Sequence, residues 1–423
     1  MRNHDSLQLD DNKVHGPFSF LNPTQAHYNH VSPSAGKASE ESDSSRTHEQ
    51  AAGTKDEETQ PASNIGFKWT SRNNRKGRHA LAVKPADKYN AVYETPLLSS
   101  NWRTILKNIW RMLVYYPVWD ISWWVAYLFT WGSIVWVFNA FFVFLPLVKP
   151  STEFHNEILV GGGVTAFIGA TVFEIGSVLL MLEAVNENRA SCFGWAVEEA
   201  LGHRRGEAGS GEEKGALLSV RPAEDKCLHH HQNRKNFVGQ AQASALQTST
   251  ENEKEKSGKD TSGTRSWTWY PSAHDIKTHY IHDLGFLACT AQMIGATIFW
   301  IAGFTALPGI LNNFSPLATT WAYWFPQVVG GSGFVISGLL FMIETQSRWS
   351  IPAPNVLGWH IGLWNLIGGG GVTVSPCFGF DSASWAQYQA GCSTFWGSWA
   401  FLVGSLIQLY ESLEKSPVEH AEE

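Results

Sequence analysis

The chain has 423 residues and a formal net charge of -7, and it carries 20 Trp and 24 Phe. Its mean hydropathy of -0.17 averages two unlike materials: polar stretches at 1–100 and 185–265, and a remainder dense in apolar residues. The charge resides mainly in the polar stretches and no basic patch interleaves with aromatics, which argues against nucleic acid as a partner. No G-x-S-x-G, P-loop or dinucleotide fingerprint stands in a strand–helix setting, so a soluble-type enzyme is excluded as well.

Taken in chain order, Met1-Arg2-Asn3-His4-Asp5 has no apolar core that would mark a cleavable signal, which leaves insertion to the first membrane helix. Residues 1–100 bury too little apolar surface to offset the entropy of ordering and are predicted to form a disordered cytosolic tail. Trp102, Ile105, Leu106, Ile109, Trp110 and Leu113 then fall on one helical face, with Arg103, Lys107 and Arg111 on the other. That pattern predicts an amphipathic helix in the membrane interface, or a cytosolic extension of the first span packed on protein.

Spanning a bilayer takes about 20 apolar residues. Six stretches meet this, near 121–146, 158–183, 284–308, 321–343, 356–376 and 393–411; the fifth is diluted by His360, Asn365 and Gly368–Gly371. Arg103, Lys107, Arg111, Arg189, Lys277, Arg348 and Lys415 collect on one side of these spans, and only Lys149 on the other. Both termini and the loop at 184–283 are therefore expected in the cytosol, in the plasma membrane or an endomembrane.

Every second span carries the same pattern, G-x-x-x-F-x-x-[GS]-[GS] leading to Glu: Gly169, Phe173 and Glu183; Gly330, Phe334 and Glu344; Gly397, Phe401 and Glu411. The odd spans repeat more faintly, with Gly132 leading to Asn139, Gly295 to Ala302 and Gly358 to Asn365. The expected fold is an all-α polytopic membrane protein, six transmembrane helices forming three parallel hairpins about a pseudo-threefold axis. Small residues let backbones approach closely, and the Phe fills the neighbouring groove. Glu183, Glu344 and Glu411 read as interfacial carboxylates, with a functional ring of carboxylates as the alternative; Arg348 and Lys415 stand four residues on from the last two.

Glu174 breaks the repeat, standing mid-span where the equivalents are Val335 and Leu402. An ionised carboxylate there costs on the order of 3 kcal/mol, so it is expected to be protonated or to face Asn139, His360 or Asn365 across the bundle. These four are the transport-path candidates; the alternative for Glu174 is a neutral, hydrogen-bonded structural role. Gln292, Gln327 and Gln408 read as interhelical hydrogen-bond formers. His229–His231 beside Cys227, and His274, His279 and His282, form no complete ligand set, so neither a metal nor a cofactor is expected. Cys377 and Cys392 share the last exoplasmic loop and are read as a disulfide, against two free thiols.

Four strings carry a resemblance: His282-Asp-Leu-Gly-Phe-Leu-Ala288, Leu339-Leu-Phe-Met-Ile-Glu344, Gly358-Trp-His-Ile-Gly-Leu-Trp-Asn365 and Phe395-Trp-Gly-Ser-Trp-Ala-Phe-Leu-Val-Gly-Ser405. Across roughly 100–417 the chain resembles the fungal integral membrane proteins with a YrhK-like domain, which implies fold and membrane location but no substrate or reaction. The expected units are a tail at 1–100, an amphipathic helix and first hairpin at 101–184, a mostly disordered loop at 185–265, the second and third hairpins at 266–417, and a tail at 418–423. The expected function is non-enzymatic: a small-solute or ion (proton-coupled) transporter or channel, or alternatively a membrane scaffold or sensor. In the second case cytosolic proteins would bind residues 1–100 and 185–265. The lipid bilayer is the partner common to both, and the sequence leaves the oligomeric state open.

Overall fold

The computed structural model describes residues 7–30, 65–83, 93–94, 96–187, 195–199, 218–222 and 268–420. Five helices are long and apolar enough to cross a membrane: Ile121–Val148, Glu157–Val185, Leu284–Thr305, Pro316–Glu344 and Ser384–Leu413. They fit a multi-pass membrane protein. Their regular cores are α3 (Ile121–Val148), α4 (Gly163–Val185), α5 (Leu284–Thr305), α6 (Phe325–Glu344) and α8 (Ser384–Leu413), while α7 (Leu357–Gly379) joins them as a sixth long helix. A single π-helical turn leads into α4 at Glu157–Gly162 and another into α6 at Thr320–Trp324. The count differs from the expected six spans because α7 is the helix that His360, Asn365 and its four consecutive glycines make less apolar.

The six helices form a closed ring. Each packs on the next in chain order, α3 on α4, α4 on α5, α5 on α6, α6 on α7 and α7 on α8, and α8 returns to α3. Small residues set the spacing: a Cβ added at Gly295 would stand 2.8 Å from the Gly330 carbonyl oxygen, and one at Gly371 2.6 Å from Gly397 Cα. The register of the third hairpin differs from the expected one. Gly132 faces the Phe173 ring and Gly368 faces the Phe401 ring, so Gly368, not Gly358, is the counterpart of Gly132. The run of four glycines hid the true match from a spacing argument.

The largest correction concerns the tail. Residues 7–30 and 65–83, expected to be disordered, form an ordered cap over one end of the ring. Strands β1 (Leu7–Leu9), β2 (Gln25–His30), β3 (Ile65–Thr70) and β4 (Ala80–Val83) pair antiparallel in sequence order, and β8 (Val418–His420) adds to β4 in parallel. The register lines up Tyr28, Phe67, Leu81 and Val418 across the sheet, and the last three are buried. Residues 31–64 of the expected tail lie outside the described residues. So does most of the 185–265 loop; its described parts, β6 (Trp195–Glu199) and β7 (Leu218–Pro222), pair with each other, and β7 pairs with β5 (Tyr93–Glu94).

The turn between β3 and β4 holds α1 (Ser71–Arg75), a short helix whose N-cap Thr70 accepts from the Asn73 amide. Backbone bonds fasten this cap to the ring: His79 N donates to Lys415 O at 2.8 Å, Leu81 N to Pro417 O at 2.9 Å and Asn22 N to His282 O at 2.9 Å. Helix α2 (Trp102–Val114) lies against α8, where its buried Asn108 donates to the Tyr410 hydroxyl at 3.5 Å. Its apolar residues Trp102, Leu106, Trp110 and Leu113 are exposed, as an interfacial helix requires.

Cys377 and Cys392 are free thiols rather than a disulfide. They stand at matching heights of α7 and α8, but Cys377 is exposed and donates to the Thr373 carbonyl of its own helix at 3.3 Å. A disulfide needs Cβ atoms that face each other.

Close helix packing gives a direct test. Gly295→Val should cost about 1–3 kcal/mol through overpacking, seen as a lower thermal midpoint of the detergent-solubilised chain. Gly370→Ala, where an added methyl meets nothing within 4 Å, should leave that midpoint unchanged or raise it.

Candidate functional site

The three repeat positions converge on the ring's axis. Phe173, Phe334 and Phe401 form a mutually edge-to-face triad, with ring centroids 5.6, 6.0 and 6.3 Å apart. Edge-to-face contact sets the positive rim of one ring against the negative face of the next. About one turn nearer the cap come Ser177, Ser337 and Ser405, all buried. Ser177 and Ser405 donate to the carbonyls of Phe173 and Phe401 at 2.8 Å, whereas Ser337 Oγ has no partner among the described residues.

Two further turns on stand Glu183, Glu344 and Glu411, each no more than 2 % exposed. Interfacial anchors would face water and lipid headgroups, so the expectation of interfacial carboxylates is corrected: these three are buried at one mouth of the ring. Arg348 and Lys415 do not compensate them. Arg348 is exposed, and Lys415 pairs with Asp120 at 2.5 Å.

Compensation comes from α1 and the residues after it. Arg72 is bidentate on Glu411, with Nε to Oε1 at 3.0 Å and Nη2 to Oε2 at 2.7 Å. Arg75 is bidentate on Glu344, with Nη1 to Oε1 at 2.8 Å and Nη2 to Oε2 at 2.9 Å, and the Ser71 hydroxyl donates to the same Oε1 at 2.8 Å. Lys76 Nζ stands 3.8 Å from Glu183 Oε1 and 3.8 Å from Glu411 Oε2. Arg78 reaches Glu411 Oε1 at 3.3 Å and the Glu414 carbonyl at 2.8 Å. Positions 72, 75 and 76 are spaced i, i+3 and i+4, which share one helical face. Helix α1 and its C-cap Lys76 therefore aim three cations into one ring.

The first helix of each hairpin makes room for them. A Cβ at Gly285 would fall 1.7 Å from Arg75 Nη1, and one at Gly358 2.6 Å from Arg72 Nε. Ser122 holds the corresponding place in the first hairpin and donates to Glu183 Oε1 at 2.6 Å, leaving Glu183 Oε2 without a donor among the described residues. Burial opposes the charge of Arg72 and Arg75, yet Glu411 and Glu344 hold both guanidinium groups above their ordinary pKa. For Lys76 burial wins, aided by Arg72, against the pull of Glu183; its pKa is lowered.

Of the four transport-path candidates, only Asn365 lines the axial cavity beneath α1, where its amide donates to the Ile361 carbonyl at 2.9 Å. Glu174 does not face Asn139, His360 or Asn365. Its Oε1 accepts from the exposed Thr297 hydroxyl at 2.9 Å on the outer side of the α4–α5 contact. Residue 174 follows the axial Phe173 by one helical step, about 100° round the helix, which turns it away from the axis. Asn139 donates to Gly162 O at 2.6 Å and to Thr165 Oγ1 at 3.0 Å, fastening the π turn to α3, and His360 Nε2 lies 2.7 Å from Pro354 O in an exposed loop. Arg72, Arg75, Lys76 and Arg78 were not among the expected site residues. The signal for them was a basic run, Lys68 to His79, inside an otherwise acidic stretch.

No His, Cys, Asp or Glu grouping among the described residues has metal-site geometry, and His229–His231 lie outside them. His279 Nε2 contacts Glu187 Oε1 at 2.6 Å instead. No family model matches the chain, and neither a curated protein nor a solved structure matches it.

The ion pairs predict a sharp asymmetry. Arg75→Met strands Glu344 and should cost about 3–5 kcal/mol, while Arg75→Met with Glu344→Leu should recover most of that loss; unfolding midpoints in one detergent compare them. A second test uses Asp283, which caps α5 by accepting from the Phe286 amide at 2.6 Å and whose pKa burial pushes up to about 6, against the pull of Arg75. The folded value lies above the ordinary 3.8, so its stabilising effect is complete below about pH 4 and lost as pH rises through about 6. Asp283→Asn should therefore gain stability relative to the parent as pH rises through that window, measured as the difference in midpoint.

Proposed function

We propose that the chain passes a small solute or ion along the axis of its helix ring, without enzymatic chemistry, and that its own basic segment shuts the path. The carrying observation is the coaxial arrangement: a phenylalanine triad, a small cavity of mixed lining and a mouth of three carboxylates occupied by Arg72, Arg75 and Lys76. Hydrophobic constrictions and rings of charged side chains are the usual elements of a selective path. Here both stand on one axis, and both are closed.

The reading takes α7 as a sixth membrane crossing. Strand β4 precedes the ring and β8 follows it, and their pairing brings both ends of the helical part to one side. Two ends on one side require an even number of crossings, which the five apolar helices alone do not supply. The excess of Lys and Arg at that end supports a cytosolic location for it.

The scaffold reading draws on a different observation, the five-stranded sheet assembled over the mouth. Its edge strand β1 is of the kind that pairs with extended segments of other proteins.

Proteoliposome flux of small monovalent ions separates the two. The parent should leak slowly, and Arg72→Gln with Arg75→Gln should raise flux at least about tenfold, the effect of removing a barrier near 1.4 kcal/mol. Exchanging the charges, Arg75→Glu with Glu344→Arg, should restore the parent's rate and so exclude simple unfolding as the cause. Flux no greater than that of empty vesicles in every variant would reject passage and leave the scaffold.

A further inference from the structure

Helix α2 divides its circumference into three faces, since successive residues step about 100° round a helix. One face meets protein: Asn108 is buried and donates to the Tyr410 hydroxyl, and Met112 packs on Trp123, Leu409 and Leu413. The second carries Trp102, Ile105, Leu106, Ile109, Trp110 and Leu113, each between 38 % and 63 % exposed. The third is a row four residues apart, Arg103, Lys107 and Arg111. Arg103 and Lys107 are exposed and Arg111 is half-buried.

These three cations have no acid to meet. Residues 95–119 contain neither Asp nor Glu, and Asp120, the next acid in the chain, pairs with Lys415. Arg103 lies over the Trp102 ring at 5.4 Å and Arg111 over the Tyr115 ring at 4.8 Å. Neither they nor Lys107 make an ion pair among the described residues. The apolar face does not end with the helix: Tyr115, Tyr116 and Val118 are exposed and lead into α3, where Trp131 and Phe138 are exposed as well. An apolar face that joins the outer surface of the ring, flanked by a row of unpaired cations, is complementary to acyl chains beneath a layer of negative charge.

We propose that α2 is a docking surface for anionic phospholipids in the leaflet at the cap end of the ring. Arg103, Lys107 and Arg111 meet the headgroup phosphates, while Trp102, Leu106 and Leu113 lie among the acyl chains. A zwitterionic headgroup carries the same phosphate but brings its own ammonium, so the surface selects for net negative charge. The segment ahead of α2 belongs to the cap: Ser99 N donates to Val418 O at 2.9 Å, and Val418 N to Ser99 Oγ at 3.0 Å. A lipid-held α2 therefore also anchors β8, the strand that completes the cap sheet. None of this depends on passage along the axis.

Native mass spectrometry of the full chain in detergent, titrated with phosphatidylglycerol or phosphatidylcholine of equal acyl chains, reads each lipid's affinity and the oligomeric state together. Phosphatidylglycerol should bind the parent more tightly by at least about fivefold, the effect of one cation beside an anionic headgroup. Arg103→Gln with Lys107→Gln and Arg111→Gln should weaken phosphatidylglycerol by at least the same factor and leave phosphatidylcholine unchanged. Lys277→Gln with Arg348→Gln, which removes two exposed cations elsewhere at the same end, should change neither. Equal affinity of the parent for the two lipids overturns the proposal, and so does a loss of both lipids alike in the triple variant. An equal loss of phosphatidylglycerol in the Lys277 and Arg348 variant also overturns it, since the effect would then belong to overall charge. A parent dimer that Leu106→Glu with Leu113→Glu dissociates would assign the apolar face to a second copy of the chain and reject the lipid.

Discussion

Three carboxylates buried at one mouth of a helix ring cannot stand uncompensated, and most of the rest of the structure follows from meeting that requirement. Removing one partner from a buried ion pair typically costs 3–5 kcal/mol, so the cations must arrive together and in register. Helix α1 delivers them from one face, and the sheet around it fixes where α1 sits. The absence of side chains at Gly285 and Gly358 belongs to the same requirement, since a methyl group at either position would occupy the space of a guanidinium. Even Ser71 and Ser122 spend their hydroxyls on Glu344 and Glu183.

The arrangement is threefold only in part. Two hairpins offer glycine and receive a bidentate arginine; the first offers Ser122 and receives Lys76 at 3.8 Å. A lysine is a compact point charge that tolerates looser geometry than a planar fork. That place is thus the weakest, and its lysine is the one of the three cations whose pKa burial lowers. Departure from symmetry, not symmetry itself, marks the part of the mouth with chemical freedom.

Much of this was legible in the sequence, and the rest was hidden for identifiable reasons. Phe173, Phe334 and Phe401, which recur at one place in the Gly, Phe and Glu pattern, stand in edge-to-face contact, because small residues and an aromatic at fixed spacing leave few ways to pack. The cationic partners of those carboxylates lie 107 to 339 residues away in sequence — here Lys76 to Glu183 and Arg72 to Glu411 — and no local pattern announces a contact of that kind. Residues 65–83 looked too polar to order because composition treats charges as solvent-seeking, whereas these are met by opposite charges on another part of the chain. Glu174 drew attention because it was unique among equivalents, but uniqueness said nothing of direction: one step from an axial Phe is already the outside of the ring. Asn365 was the exception, reaching the cavity on a helix whose register had been misjudged.

The parallel pairing of β4 with β8 joins a strand near the start of the described chain to one completed at residue 420. Synthesis is vectorial, so β4 and the cations that precede it leave the ribosome before Glu411 and β8. Arg72 meets its carboxylate only after all of the ring helices have been made, and the sheet lacks its fifth strand until then. Completion of the cap is therefore a late event in biogenesis, and a nascent chain stalled in α8 before Glu411 carries a cap that can seat on Glu344 but lacks the Arg72 partner and the fifth strand.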